Sequence, residues 1–344
     1  MDAGTQGLAS LVIARAFVPR APWRAWAVIV IAGSIANIDV VSAMLSPSAF
    51  IEWHRTYLHS VLVSLVLSAA LAASYIVTTR IRTGIDPIPS RTPTFSHSAF
   101  FSAAIFAGLL HLALDAAQSD GTMIFWPLNR QRIALDWLPH VDPWIIAILL
   151  AALSLPELTR LVTDEIGAKA RGVRGRVGAI IGLVILALYV GMRADLHSNA
   201  LATLQSRRYD SGSPHRVAAY ADAASPFVWH GVVETERALH EPDVSIFTSS
   251  QFDNDNGETL FKPEPSPALE QAQRTAAAKT FLAAAQFPKA DIETTTDGYE
   301  VELRDLRYAG FGETQREIRA RIQLAPSGKV LNDELIWARN IKPR

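Results

Sequence analysis

Apolar residues run in long stretches through the first 195 positions and in short alternating ones through the last 149. Five of the long runs, 23–45, 57–79, 97–118, 143–162 and 174–195, have the length and character of helices that cross about 30 Å of hydrocarbon at about 1.5 Å per residue. The fourth carries Pro156 and Glu157 near one end, where a kink or an interfacial position accommodates both. A shorter run from Gly7 to Val18, broken by Ser10 and Arg15, reads as a short or half-spanning helix, and it lacks the basic start of a signal peptide. After residue 195 the period changes. Phe227 to Phe247 and Gly298 to Tyr308 alternate as strands do, Glu313 to Leu324 and Val330 to Asn340 form a further strand pair around Pro326-Ser327-Gly328, and Pro267 to Gln286 is Ala-rich and helical. Residues 249–266, rich in Asp, Asn, Ser, Glu and Pro, read as a surface loop. The predicted fold is mostly α. A multi-pass transmembrane helical bundle of five long spans plus a short N-terminal helix occupies residues 1–195, and a soluble, extramembrane α+β domain occupies 196–344.

Charge sharpens the division. Residues 1–195 hold 15 Lys+Arg and 12 Asp+Glu, whereas the shorter remainder holds 17 and 21. Mean hydropathy is positive, +0.17, and the formal charge of −1 argues against nucleic acid as a partner. The absence of cysteine excludes disulfides, thiolate metal sites and Cys nucleophiles.

Basic residues accumulate on the cytoplasmic side of short loops, so their distribution orients the chain. The connections 19–24, 80–96 and 160–176 hold Arg20, Arg24, Arg80, Arg82, Arg91, Arg160, Lys169, Arg171, Arg174 and Arg176, whereas the opposite set holds only Arg55, Arg130 and Arg132. The second set and residues 196–344 are therefore expected outside. Trp23, Trp53, Tyr57, Trp126, Trp137 and Trp144 at the loop edges fit interfacial belts.

Ionisable side chains inside a span cost at least about 2.5 kcal/mol, and here they gather at one depth. Asp39, two positions after Asn37, lies in the outward half of the first long run. His54 and His59 bracket the outer start of the second in the string HRTYLHS. On the third, His111 and Asp115 are four apart, hence on one helical face. Three imidazoles and two carboxylates make either a divalent-metal site or a proton relay, and on residue type alone both stand. His97, His140, His197, His215, His230 and His240 read as surface or packing residues. Ser60 sits in no GxSxG elbow, and neither a Walker loop nor a GxGxxG occurs.

The strings HRTYLHS at 54–60, HLALDAAQSDGTMIFWPLN at 111–129 and NID at 37–39 resemble the membrane-bound metal-dependent hydrolase family, the YdjM-like inner-membrane proteins. The resemblance covers residues 4–195, with three separated boxes in the family's order. HSNALATLQSRRY and ASPFVWHGVVETE resemble the outer extension of one branch. The resemblance implies that His54, His59, His111, Asp115 and Asp39 are metal ligands, with zinc the expected ion. Asp39 and His59 are then the residues nearest the chemistry, Asp39 either ligating or accepting a proton from water. Two positions depart from the family pattern: Gln6 stands for a His, and Asn37 for the first carboxylate of a D-x-D box. Amide oxygens bind zinc poorly, so the site is expected to hold fewer ions than the family's, or none. If Gln6 lies near Asp39, the short first helix descends from the outer side, giving six membrane segments with both termini outside.

These readings lead to a hydrolase of the cell inner membrane acting on an ester or phosphoester of a lipid or envelope molecule. A catalytically retired scaffold, with residues 196–344 as the surface for a protein partner, is the first alternative. A proton-coupled transporter using His59, His111 and Asp115 as a relay is the second.

Overall fold

The computed structural model describes residues 1–85, 95–165, 175–209, 212–246, 257–311 and 316–339. Arg91, Lys169, Arg171 and Arg174 of the charge distribution, and residues 249–256 of the expected surface loop, lie outside the described residues. The chain packs as two compact units: Met1–Asp39 with Arg55–Arg193, and Val40–His54 with Ala194–Arg344.

Its first seven helices are α1 (Ala3–Phe17), α2 (Trp23–Ala32), α3 (Pro47–Trp53), α4 (Val61–Ile85), α5 (His97–Ala116), α6 (Pro143–Glu165) and α7 (Arg176–Gln205). Of these, α3 and the end of α7 belong to the second unit. Four helices, α4 to α7, are long and apolar enough to cross a membrane. The run at 23–45 is not the continuous helix expected. It breaks after α2 and continues as a 3-10 segment, Ile35–Met44, bent by 55°. The cause is local: Gly33 still bonds back four residues to Ile29, but Ser34 bonds three back to Ile31 and Asn37 three back to Ser34, which tightens the spiral. Counted as one span, the bent pair makes a fifth crossing.

α1 is the hub of the first unit. Its 15 residues cover only about 22 Å, and Gln6, Ala9, Ser10, Val12, Ile13, Ala14 and Arg15 are buried around nearly its whole circumference. Asp2 caps it by accepting from the Thr5 backbone N–H. Arg15 donates to the Leu153 carbonyl at 2.9 Å and pairs with Glu157 of α6, so the two ionisable residues that blemish their apolar runs compensate one another. Small residues bring the helices close. A Cβ on Gly182 of α7 would lie 2.3 Å from Ala152 Cβ, and one on Gly108 of α5 would lie 2.5 Å from Ser68 Oγ and 2.7 Å from Ser64 Oγ of α4.

In the second unit, strands β1 (Arg216–Ala221), β2 (Val228–Glu234), β3 (Ala238–Glu241), β4 (Asp243–Ser245) and β5 (Glu258–Phe261) form one antiparallel sheet in the order β1-β2-β3-β5, with β4 also on β2. Leu196, Ala200 and Leu204 of α7 pack on its Ala219, Trp229, Val233 and Val244. Helices α8 (Pro267–Gln273) and α9 (Ala276–Ala284) then precede a meander of β6 (Pro288–Thr295), β7 (Gly298–Asp305), β8 (Arg316–Leu324) and β9 (Val330–Arg339). Alternation sorts that sheet. Val301, Leu303, Ala320, Ile322 and Leu324 meet the helices, while Glu300, Glu302, Arg319 and Arg321 pair across the other face. The strand and helix expectations for this region hold in outline, but they do not include β1, β6 and α3, and Glu258–Phe261, expected within the surface loop 249–266, instead forms β5 because it pairs in register with β3.

Candidate metal centre

His111 and Asp115 share one face of α5, both buried, with His111 Nε2 3.2 Å from Asp115 Oδ2. His59 lies in the turn before α4, wholly buried, and its Nε2 comes within 3.1 Å of the same carboxylate oxygen. One ligand atom from each of the three residues falls within 4.8 Å of the others, a grouping that suits a single metal ion.

What holds the imidazoles matters as much as where they point. His111 Nδ1 is 2.8 Å from the carbonyl oxygen of Gly33, the buried residue at which α2 ends. His59 Nδ1 is 3.1 Å from Asp39 Oδ2. A carbonyl and a carboxylate only accept, so a hydrogen on each Nδ1 would satisfy Gly33 and Asp39 and turn both Nε2 lone pairs toward Asp115 Oδ2, the tautomer that metal ligation requires. Three electron-rich atoms would then converge in a buried space, an arrangement that a further cation among them, metal or proton, stabilises.

The other oxygen of Asp115 is differently occupied. Gln6 Nε2 donates to Oδ1 at 2.8 Å, the amine of Met1 donates to it as well, and an Arg55 guanidinium nitrogen stands 3.9 Å away. Gln6 Oε1 in turn accepts from Asn37 Nδ2. The amides of Gln6 and Asn37 thus bond to one another, and through Gln6 to the centre.

Arg55 ties the surroundings together from a left-handed backbone, φ 56°, a conformation that costs a non-glycine residue about 1 kcal/mol or more. That conformation lets its N–H donate to Asp39 Oδ2 at 2.8 Å while its carbonyl accepts from Met123 N. Its guanidinium donates to Gln118 Oε1 at 2.7 Å and lies 3.6 Å from Asp120 Oδ2, itself 3.3 Å from His140 Nδ1. Gln118 Nε2 donates to the Pro139 and His140 carbonyls, and Thr122 Oγ1 donates to the His59 carbonyl.

Four of the five expected ligands, Asp39, His59, His111 and Asp115, are therefore brought together. Asp39 stands behind His59 rather than among the three converging donors. His54 is not in the group: it belongs to the second unit, at the end of α3, with its ring stacked on Phe50 at 4.3 Å. Gly33, Arg55, Gln118 and Thr122 were not picked out beforehand as site residues. A polar Gln at the end of an apolar run is a usable signal for Gln118; a backbone acceptor such as Gly33 leaves none.

No curated protein and no solved structure matches the chain. The family described as YdjM inner membrane protein matches residues 1–199, more than half of the sequence. With its apolar helices, that match makes this a multi-pass inner-membrane protein, and the chain belongs to the YdjM inner membrane protein family.

Proposed function

We propose that the protein is a membrane-embedded, metal-dependent hydrolase of an ester or phosphoester carried by a lipid or envelope molecule, with its centre and residues 196–344 on the outer side. The observation that carries this reading is the convergence of His59 Nε2 and His111 Nε2 on Asp115 Oδ2, with each outer ring nitrogen already held by an acceptor. That donor set, two neutral nitrogens and one carboxylate oxygen, is one that suits catalytic zinc and leaves a position open. Bound there, zinc would lower the pKa of a water to about 7, supplying a nucleophile at neutral pH.

The remaining roles belong to the chain itself. Asp39 holds the His59 proton at Nδ1, and the Gly33 carbonyl does the same for His111, so both rings keep one tautomer and one orientation. Gln6 holds Asp115 Oδ1, which directs Oδ2 at the imidazoles. His54 has no ligand role in this reading. The ten-to-three distribution of Lys and Arg between the two sets of loops supports the orientation.

The Gln6–Asn37 amide pair favours a second reading, a scaffold that has retired from catalysis and works through a protein partner of residues 196–344. Hydrolysis of chromogenic carboxylic and phosphate esters by detergent-purified protein separates the two. The hydrolase loses activity to a chelator and regains it with zinc; a protein inert to every ester with metal bound is the scaffold. Proton-driven, chelator-indifferent uptake in vesicles would instead support the relay.

A further inference from the structure

The connection between α5 and α6 ends in a tip whose apolar side chains face outward from a tightly held base. Its neck is closed by reciprocal backbone hydrogen bonds between Thr122 and Ile133, at 3.0 and 2.9 Å. The next turn is fastened to the segment carrying His59: Met123 N donates to the Arg55 carbonyl, Val61 N donates to the Ile124 carbonyl, and Tyr57 meets Trp126 edge-on at 5.3 Å between ring centroids. Beyond those anchors Leu128 is 94% exposed and Phe125 53%, with Pro127 exposed between them.

Such exposure is not slack. Leu128 N and Asn129 N both bond back to the Phe125 carbonyl, so the turn fixes both apolar side chains outward. Leaving side chains of this size in water forgoes the gain of burying them. The tip also sits between the end of α5 at Ala116 and the start of α6 at Pro143, two helices long and apolar enough to cross a membrane. Tyr57 and Trp144, half-exposed at the starts of α4 and α6, are the aromatic types that gather at that level, and exposed Arg130 beside the tip suits lipid head-group phosphates.

We propose that residues 125–128 are a lipid-inserting tip: Phe125 and Leu128 enter the acyl region on the side of the bilayer where α5 ends, with Arg130 at the head groups. The occupant of this surface is lipid rather than a protein partner. Because the base of the tip is bonded to the backbone of Arg55 and His59, insertion fixes the depth of the candidate centre in the membrane. The claim stands whether or not that centre holds metal.

The chain contains no cysteine, so Leu128→Cys and Phe125→Cys each supply a single thiol for a nitroxide label. The full-length labelled protein is reconstituted in vesicles of phosphatidylethanolamine and phosphatidylglycerol, and collision of the label with oxygen is compared with collision with a water-soluble nickel chelate. Val184→Cys, exposed on α7, gives the lipid reference, and Asp297→Cys, exposed in the β6–β7 turn, the aqueous one. Both tip labels are expected to favour oxygen over nickel as position 184 does, the inverse of position 297. Tip labels that follow position 297, or that are shielded from both reagents as in a protein interface, overturn the proposal.

Discussion

Asp39 Oδ2 lies 3.1 Å from His59 Nδ1 while accepting the Arg55 backbone N–H at 2.8 Å, so a carboxylate from the broken first span orients an imidazole delivered by the turn before α4. Outer-sphere carboxylates of this kind support metal affinity by about 10–100-fold. Asp39→Asn keeps the shape and loses the charge. It is expected to weaken zinc affinity by that factor in a competition titration while leaving saturating stoichiometry unchanged. His59→Ala is expected to lose the ion altogether.

Metal and protons compete for the same two Nε2 atoms. Both imidazoles must be neutral to ligate. Zinc affinity is therefore expected to fall on acidification, approaching about 100-fold per pH unit once both rings take a proton. A titration series from pH 8 to pH 5 checks the slope; an affinity independent of pH over that range argues against imidazole ligands.

Gln6 occupies Asp115 Oδ1 with an amide N–H, and Asn37 feeds the Gln6 oxygen. Gln6→His combined with Asn37→Asp replaces two neutral amides with a nitrogen lone pair and a carboxylate beside an oxygen that already faces them. Metal content of this double variant is expected to rise above that of the parent. A parent without metal or hydrolysis, joined to a double variant with both, would identify the parent as the retired form.

Gly33 serves the centre through its carbonyl and the packing through its missing side chain. A Cβ there would lie 2.0 Å from Ser10 Oγ and 3.1 Å from Ala107 Cβ. Gly33→Ala is expected to destabilise the first unit by about 1–3 kcal/mol and to weaken zinc binding by shifting the acceptor of His111. Ser10→Ala in that background removes the nearest clash and is expected to recover part of the stability. Thermal unfolding with and without zinc reads both effects.

Asp305, almost fully buried in the second unit, accepts from the backbone N–H groups of Gln286, Phe287 and Arg307 at 2.9, 3.0 and 3.1 Å. Asp305→Ala strands three buried donors and is expected to cost about 3 kcal/mol. Because nothing in the first unit changes, zinc content is expected to persist. Denaturant melts and metal analysis of one preparation test both halves of that statement.

The apolar runs disclosed α4 to α7 because a bilayer admits few ways to satisfy a backbone, and the four-residue spacing of His111 and Asp115 disclosed their shared face. The break after α2 was harder to read. Gly33-Ser34 is also tolerated inside intact transmembrane helices, and only the i−3 bonds of Ser34 and Asn37 reveal the 3-10 segment. Common depth and the resemblance both group His54 with His59, but Arg55 turns left-handed between them and α3 carries His54 into the other unit. The acceptor for His111 is a backbone carbonyl, a group every residue possesses, so its role is visible only in three dimensions.

The most direct test of the centre is zinc content, by elemental mass spectrometry, of detergent-purified wild type beside His111→Ala. The account expects close to one zinc per chain in the wild type and its loss in a variant that remains folded. Equal and negligible metal in two well-folded proteins would contradict it.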